Sequence, residues 1–370
     1  MQYKKWYVFV LVCTLSFFLI EASFSFIVDY AGLFGFVSVE RFNKYKTNSP
    51  NWTVTKFYYI NRIKPDAILL GTSRAISLDT KYMEEYIGGK VYNLALPASS
   101  IYEQYMYFKY MVENQNIKEA VVSLDLFAFN PNKTKKYSLD NRGFDENRLN
   151  RHIFIKDYID NLISKNALVG TLMTVKNNYN MNTNHITSYE TGVLVNKQIN
   201  NDDEVIKNIR NTIESAVKDE EYYNSPSFLN QNSIYKSIGY LSKIIEVARA
   251  NNIKLRFYIS PIYKDYFDMK YILGYGNTYE VWKREIALLT DYYDFTGHNT
   301  VTSDKHWWYD AHHVITNTMS KLIFARLYND HTVPVPKDFG VLVTKDNIDT
   351  HIVKLRAQVE KHAMKEILSQ

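Results

Sequence analysis

Five short apolar runs, interleaved with helical stretches, constrain this chain more than any other feature. They fall at residues 66–70, 91–94, 119–125, 254–260 and 292–296. Residues 102–112, 234–250, 278–289 and 314–327 carry the helical pattern between and after them. Uninterrupted apolar runs, unlike alternating ones, belong to parallel strands covered on both faces. The expected fold is therefore α/β, a doubly wound parallel five-stranded sheet, with ligands bound beyond the carboxyl ends of the strands.

The rhythm lapses between residues 131 and 233, which are rich in Asn, Lys and Tyr and include a helical fragment at 203–218. This segment reads as a helical insertion, a cap on the α/β core. The implied organisation is 1–30 as a membrane helix, 31–62 as a membrane-proximal connection, 63–130 and 234–330 as the two halves of the core, and 331–370 as a tail. The tail ends in a helix whose Ile348, Ile352, Leu355, Val359 and Ile367 form a narrow stripe. Such a stripe packs on its own domain, pairs with another chain or lies on a membrane; its own domain is the expected place.

Residues 6–20 contain no charge, Pro or Gly, and the apolar stretch continues past Glu21 to Val28. As a helix it spans about 34 Å, against about 30 Å of bilayer hydrocarbon. Lys4 and Lys5 precede it, which keeps the amino terminus in the cytoplasm and sends the rest of the chain across. A cleaved signal peptide is the rival, but Ile20-Glu21-Ala22 lacks the paired small residues of a cleavage site. A lipoprotein signal ending at Cys13 has Val12 where a small residue is needed. An uncleaved anchor is the expectation.

Cys13 is the single cysteine, which excludes a disulfide scaffold and any multi-cysteine metal site. The net charge of +5, from 44 basic and 39 acidic residues, is too small and too dispersed for nucleic-acid binding. The 31 tyrosines suit sugar stacking, and equally an A/T-biased coding sequence.

Two motifs carry chemistry. The first strand runs into Gly71-Thr72-Ser73-Arg74. That places the Ser73 hydroxyl at the carboxyl end of the sheet, beside amides that can donate to an oxyanion; a plain helix cap by Thr72 or Ser73 is the ordinary use of such residues. The second is Tyr309-Asp310-Ala311-His312-His313, ahead of the last core helix. Spaced by three, Asp310 and His313 share one face of a helical turn, so the carboxylate can hold the imidazole while its other nitrogen faces a nucleophile. Arg74 can clamp an anionic substrate group or form a structural ion pair with Asp79 or Asp125, and the ion pair is preferred.

With these motifs the chain resembles the SGNH (GDSL-like) hydrolase superfamily. Gly71-Thr72-Ser73 stands at the first block, residues 91–100 (Val-Tyr-Asn-Leu-Ala-Leu-Pro-Ala-Ser-Ser) at the second, and Asp310 to His313 at the last. The likeness spans residues 64–128 and 235–328. It implies a flavodoxin-like sheet, Ser73 as nucleophile, His313 as base, Asp310 as orienting acid, and backbone amides of Ser73 and Ala98 at the oxyanion. Thr72 replaces the family's Asp, Ala98 replaces its Gly, and the third block leaves only Asp125 and Asn130. Asn130 or Asn93 is then the substitute oxyanion donor.

The Gly-x-Ser-Arg variety resembles a membrane-anchored bacterial branch that handles acyl groups on cell-surface polysaccharides. That implies an O-acyl (acetyl) esterase or transferase facing the periplasm, acting on an acylated carbohydrate beside a multi-spanning membrane acyltransferase. A catalytically degenerate scaffold that binds polysaccharide or such a partner is the alternative. Asp304, His306, Asp310, His312 and His313 also crowd one stretch in a way that suits zinc or iron, but no matching ligands mark the other strand ends. No nucleotide-binding glycine loop is present, so no cofactor is expected.

Overall fold

The computed structural model describes residues 2–35, 38–46, 52–131, 155–180, 186–188, 190–195, 201–223 and 229–368. In chain order the first elements are α1 (Gln2–Val28), α2 (Trp52–Ile63), β1 (Ala67–Leu70), α3 (Ser73–Ile76), α4 (Lys81–Ile87), β2 (Val91–Asn93), α5 (Ile101–Asn114) and β3 (Glu119–Leu124). Next come α6 (Ile155–Leu162), α7 (Lys165–Tyr179), β4 (Ile186–Ser188), β5 (Val193–Val195), α8 (Asp202–Tyr223) and α9 (Gln231–Ala250). The last are β6 (Lys254–Ile259), α10 (Lys264–Ile272), α11 (Gly276–Leu289), β7 (Tyr292–Asp294), α12 (Thr316–Leu327), β8 (Val341–Val343) and α13 (Ile348–Leu368).

These elements form two compact units. Met1–Ile63 and Leu139–Glu190 make one; Lys64–Ser138 and Thr191–Gln370 make the other. The expected single cap at 131–233 is thus divided between them, and residues 132–154 lie outside the described part.

In the smaller unit, α1 is long and apolar enough to cross a membrane. The stretch expected as an irregular connection contains α2, in which every residue from Thr53 to Ile60 is buried. Burial all round erases the one-sided apolar pattern by which a helix is recognised, which is why the sequence hid it.

In the larger unit a six-stranded mixed sheet has the order β2-β1-β3-β6-β7-β8. The first five strands are parallel, in register through pairs such as Ile68 with Tyr92 and Ala120, and Val122 with Phe257. β8 is a correction to the five-stranded expectation. It adds antiparallel to β7, with Tyr292 opposite Val343 and Asp294 opposite Val341. β8 is only three residues long and two of them are exposed, so nothing in the tail sequence marks it as a strand. Every residue of β1 and β3 is buried. Burying each of Ile68, Leu69 and Leu70 is worth about 1.5–3 kcal/mol before entropy is counted.

α13 packs its stripe inward: Ile348, Ile352, Leu355 and Val359 are buried, as expected, while the Ile367 side chain lies outside the described residues. Its His351 Nε2 meets Asp294 at 2.8 Å, and Asp294 also pairs with the fully buried Lys283 of α11. Charges sealed this way survive burial only because each is matched.

The strand order fixes where a site can form. From β1 the chain crosses to β2 on one side, then returns past β1 to β3 on the other. The segments leaving β1 and β3 therefore diverge and open a crevice at their carboxyl ends.

Candidate active site

Gly71 makes the turn out of β1. Its φ is 157°, and a Cβ there would lie 2.7 Å from the Ser123 Cβ and 2.9 Å from the Ala75 Cβ. Only glycine lets β1 and β3 approach so closely while the chain turns into α3. Thr72 is the cap of α3, as the ordinary reading of these hydroxyls holds, which leaves Ser73 as the first helical residue.

Asp125, just beyond β3, anchors this corner. It accepts the Thr72 hydroxyl at 2.9 Å, Arg74 Nη1 at 3.0 Å and the Phe127 amide at 3.1 Å. Arg74 thus forms the structural ion pair, choosing Asp125 while Asp79 pairs with Lys81. The Thr72 hydroxyl serves here as a donor to Asp125.

The loop after β2 is stitched to the same corner. Leu96 N and Ser99 Oγ both donate to the Gly71 carbonyl, at 3.0 and 2.9 Å. Between them Ala98 has φ +53°, in the left-handed region that costs a side-chain-bearing residue roughly 1–2 kcal/mol. A position that strains alanine is one at which glycine would be at ease.

Asn93 does not reach the site. Its carboxamide is fully buried, donating to the carbonyls of Ala75 (2.8 Å), Ile76 (3.3 Å) and Leu78 (3.0 Å) and accepting from Ala95 N. Its two N–H groups are committed to holding the β2 end against α3, so Asn93 is corrected from oxyanion donor to structural clamp. Asn130 is buried at the end of a short 3-10 turn and is not among the residues lining the cavity described below.

Asp310 and His313 meet, but not on a helix. Residues 309–313 form a loop pinched by a Trp308–Val314 bridge and by the Tyr309 N to His313 O bond. One Asp310 oxygen accepts the backbone amides of His312 and His313, at 2.9 and 2.8 Å; the other meets His313 Nδ1 at 2.8 Å. The carboxylate itself folds the loop, a local competition of Asp with secondary structure that the spacing rule for helices misses. Burial opposes ionisation of Asp310, but the His313 ring, the His312 ring and the amides outweigh it and hold the carboxyl well below its usual range.

His312 contrasts with its neighbour. Desolvation, reinforced by His313, keeps it neutral far below the ordinary histidine range. Its Nδ1 is buried without a hydrogen bond among the described residues, 3.9 Å from Asp310 Oδ1. Asp310, His312 and His313 each bring a ligand atom within 4.8 Å of the others, an arrangement that can hold a metal ion. Asp304 and His306 do not join them: they are exposed and pair with each other at 2.7 Å, and His306 also approaches Asp202.

Ser73, Arg74, Ala98, Asp310 and His313 all line one open cavity of about 550 Å³ at the switch between β1 and β3. Ser73 Oγ makes no hydrogen bond to a described residue, so the Ser73–His313 link is not closed. Such links are often loose without substrate. The sequence reading missed the far wall: Asn211, Thr212 and Ser215 of α8, and Tyr266 and Lys270 of α10. A helical fragment at 203–218 was legible, but periodicity does not reveal which cavity a helix overhangs. Tyr266 lies between two cations, 5.7 Å from the Arg74 guanidinium and 4.9 Å from Lys270 Nζ.

The chain matches no protein-family model and finds no significant match among curated proteins.

Proposed function

We propose that this chain is a membrane-anchored SGNH-like serine hydrolase, an O-acyl (acetyl) esterase or transferase on a bacterial cell-surface polysaccharide. One observation carries the reading: Ser73, Ala98 and the Asp310–His313 pair line a single cavity at the sheet's switch point. In this reading the helices wind on both faces of the sheet, α1 stays uncleaved in the inner membrane, and the cavity opens to the periplasm.

Ser73 Oγ attacks the ester carbonyl and His313 Nε2 takes its proton, while Asp310 holds the Nδ1–H tautomer. The Ser73 and Ala98 amides receive the oxyanion. His313 then returns the proton to the departing alcohol, leaving an acyl group on Ser73. Water or a sugar hydroxyl, deprotonated by His313, removes that group. The hydroxyl- and amide-bearing wall from α8, with Tyr266, forms the surface a glycan would meet. A multi-spanning acyltransferase is the implied donor-side partner. The scaffold reading is favoured by there being no Ser73–His313 hydrogen bond among the described residues.

Ester hydrolysis by the full-length protein, wild type against Ser73→Ala, tests this. A rate abolished by the substitution supports the serine mechanism. A rate that survives it but falls on chelation assigns the chemistry to a metal at Asp310, His312 and His313. No rate in either well-folded protein, across several acyl donors, supports the scaffold.

A further inference from the structure

Two helices of the smaller unit turn apolar side chains outward. α6 buries Asp157 and Asn161 and exposes Ile155 (72%) and Ile159 (54%), with Ile163 (39%) continuing the row just past its end. α7 buries Ala167, Thr171, Thr174 and Asn178 and exposes Val169, Leu172 (53%) and Met173. At its end α1 buries Glu21, Ser25 and Val28 while Phe26 and Ile27 stay exposed. Beside an apolar cluster of Val28, Tyr30, Ala31 and Ala167, the inward faces are joined by polar bonds: Tyr58 Oη donates to Asp157 (3.2 Å), Thr171 Oγ1 to Ser25 Oγ (3.2 Å), and Asn178 Nδ2 to the Tyr45 carbonyl (2.6 Å).

A water-facing helix puts its apolar stripe inward. The reverse pattern, polar groups turned to one another and aliphatic groups turned out, is what a lipid environment selects. We propose that the apolar faces of α6 and α7 are embedded in the interfacial layer of the bilayer that α1 crosses.

Lengths agree with this placement. The exposed part of α1, residues 3–20, spans about 27 Å, close to the hydrocarbon thickness of about 30 Å, so the bilayer core ends near Glu21. α6 and α7 pack on α1, with Thr171 at Ser25 and Ala167 in a cluster with Val28 and Tyr30 just beyond that level. At 8 and 15 residues they are too short to cross, and so lie along the surface. Lys165 and Lys176 flank Val169, Leu172 and Met173, exposed where ammonium groups can reach lipid headgroups. This continuity with α1, and the flanking lysines, select lipid over a protein as the occupant.

The inference depends on α1 lying in the membrane and not on the chemistry of Ser73. Full-length protein carrying Cys13→Ser and a single cysteine at Phe17, Ile159, Leu172 or Ile272 is labelled with the environment-sensitive dye NBD. Each is reconstituted in phosphatidylcholine/phosphatidylglycerol vesicles with or without brominated acyl chains. Ile272, exposed on the other unit, is the aqueous control. Labels at 17, 159 and 172 should shift to the blue and lose most of their emission to brominated lipid, while 272 stays unquenched. Unquenched labels at 159 and 172 beside a quenched 17 overturn the proposal, and a blue shift without quenching would assign the face to protein instead. No quenching at 17 removes the membrane helix itself. Ile163→Cys and Met173→Cys replace any labelled variant that loses its thermal transition.

Discussion

His313 Nδ1 lies 2.8 Å from Asp310 Oδ2, while the other oxygen of the same carboxylate receives the His312 and His313 amides. One side chain therefore shapes the loop and fixes the ring it presents. Asp310→Asn can keep much of this geometry but offers an amide donor that favours the wrong ring tautomer. Ester hydrolysis should fall by roughly 10⁴-fold, the scale of that substitution in serine proteases, with little loss of fold. Steady-state rates beside a thermal melt check it.

His312 gives a pH signature. Its folded pKa is depressed by burial, so the folded state binds fewer protons than the unfolded one. The stability it contributes is complete above the unfolded value of about 6.5 and is lost as pH falls below that. His312→Gln should flatten the decline in urea midpoint between about pH 6.5 and 5. An unchanged slope would show that His312 is not held neutral.

Gly71 and Ala98 should respond oppositely to a methyl group. Gly71→Ala drives a Cβ into Ser123 and Ala75 and should cost about 1–3 kcal/mol as an overpacked site. Ala98→Gly removes left-handed strain worth roughly 1–2 kcal/mol against a glycine entropy cost of about 0.5–1 kcal/mol. The net is neutral to mildly stabilising, with activity retained. Chemical denaturation of both variants reads the signs.

The Arg74–Asp125 pair is nearly sealed from water, at 10% and 4% side-chain exposure. Arg74→Ala leaves that carboxylate without its cation and should destabilise by about 3 kcal/mol. Arg74→Ala paired with Asp125→Asn should recover part of the loss, as a double-mutant cycle would show.

Two asparagines should separate by readout. Asn93→Ala removes the clamp beneath α3 and lowers stability. Asn211, on α8, lines the same cavity as Ser73. Asn211→Ala should leave the melting temperature unchanged and lower kcat by about 10²-fold if it meets the oxyanion. A change in KM alone would make it a glycan contact.

β1 and β3 were legible because strands buried on both faces spell continuous apolar runs, β6 because its second half, Phe257 to Ile259, is buried, and the Asp310–His313 contact because its spacing is local. β8 was not, being three residues at an edge with Val341 and Leu342 half-exposed. α2 was hidden by burial on every side, and the Asp310 loop looked helical because Asp-x-x-His fits both conformations.

The most direct test of the central claim is covalent. Full-length protein is treated with a fluorophosphonate, which phosphonylates serines activated by a neighbouring base, and its peptides are mapped by mass spectrometry. A single adduct on Ser73, lost in His313→Ala and in Asp310→Ala with the fold intact, is the predicted result. An unmodified Ser73, or one modified equally without His313, would contradict the account.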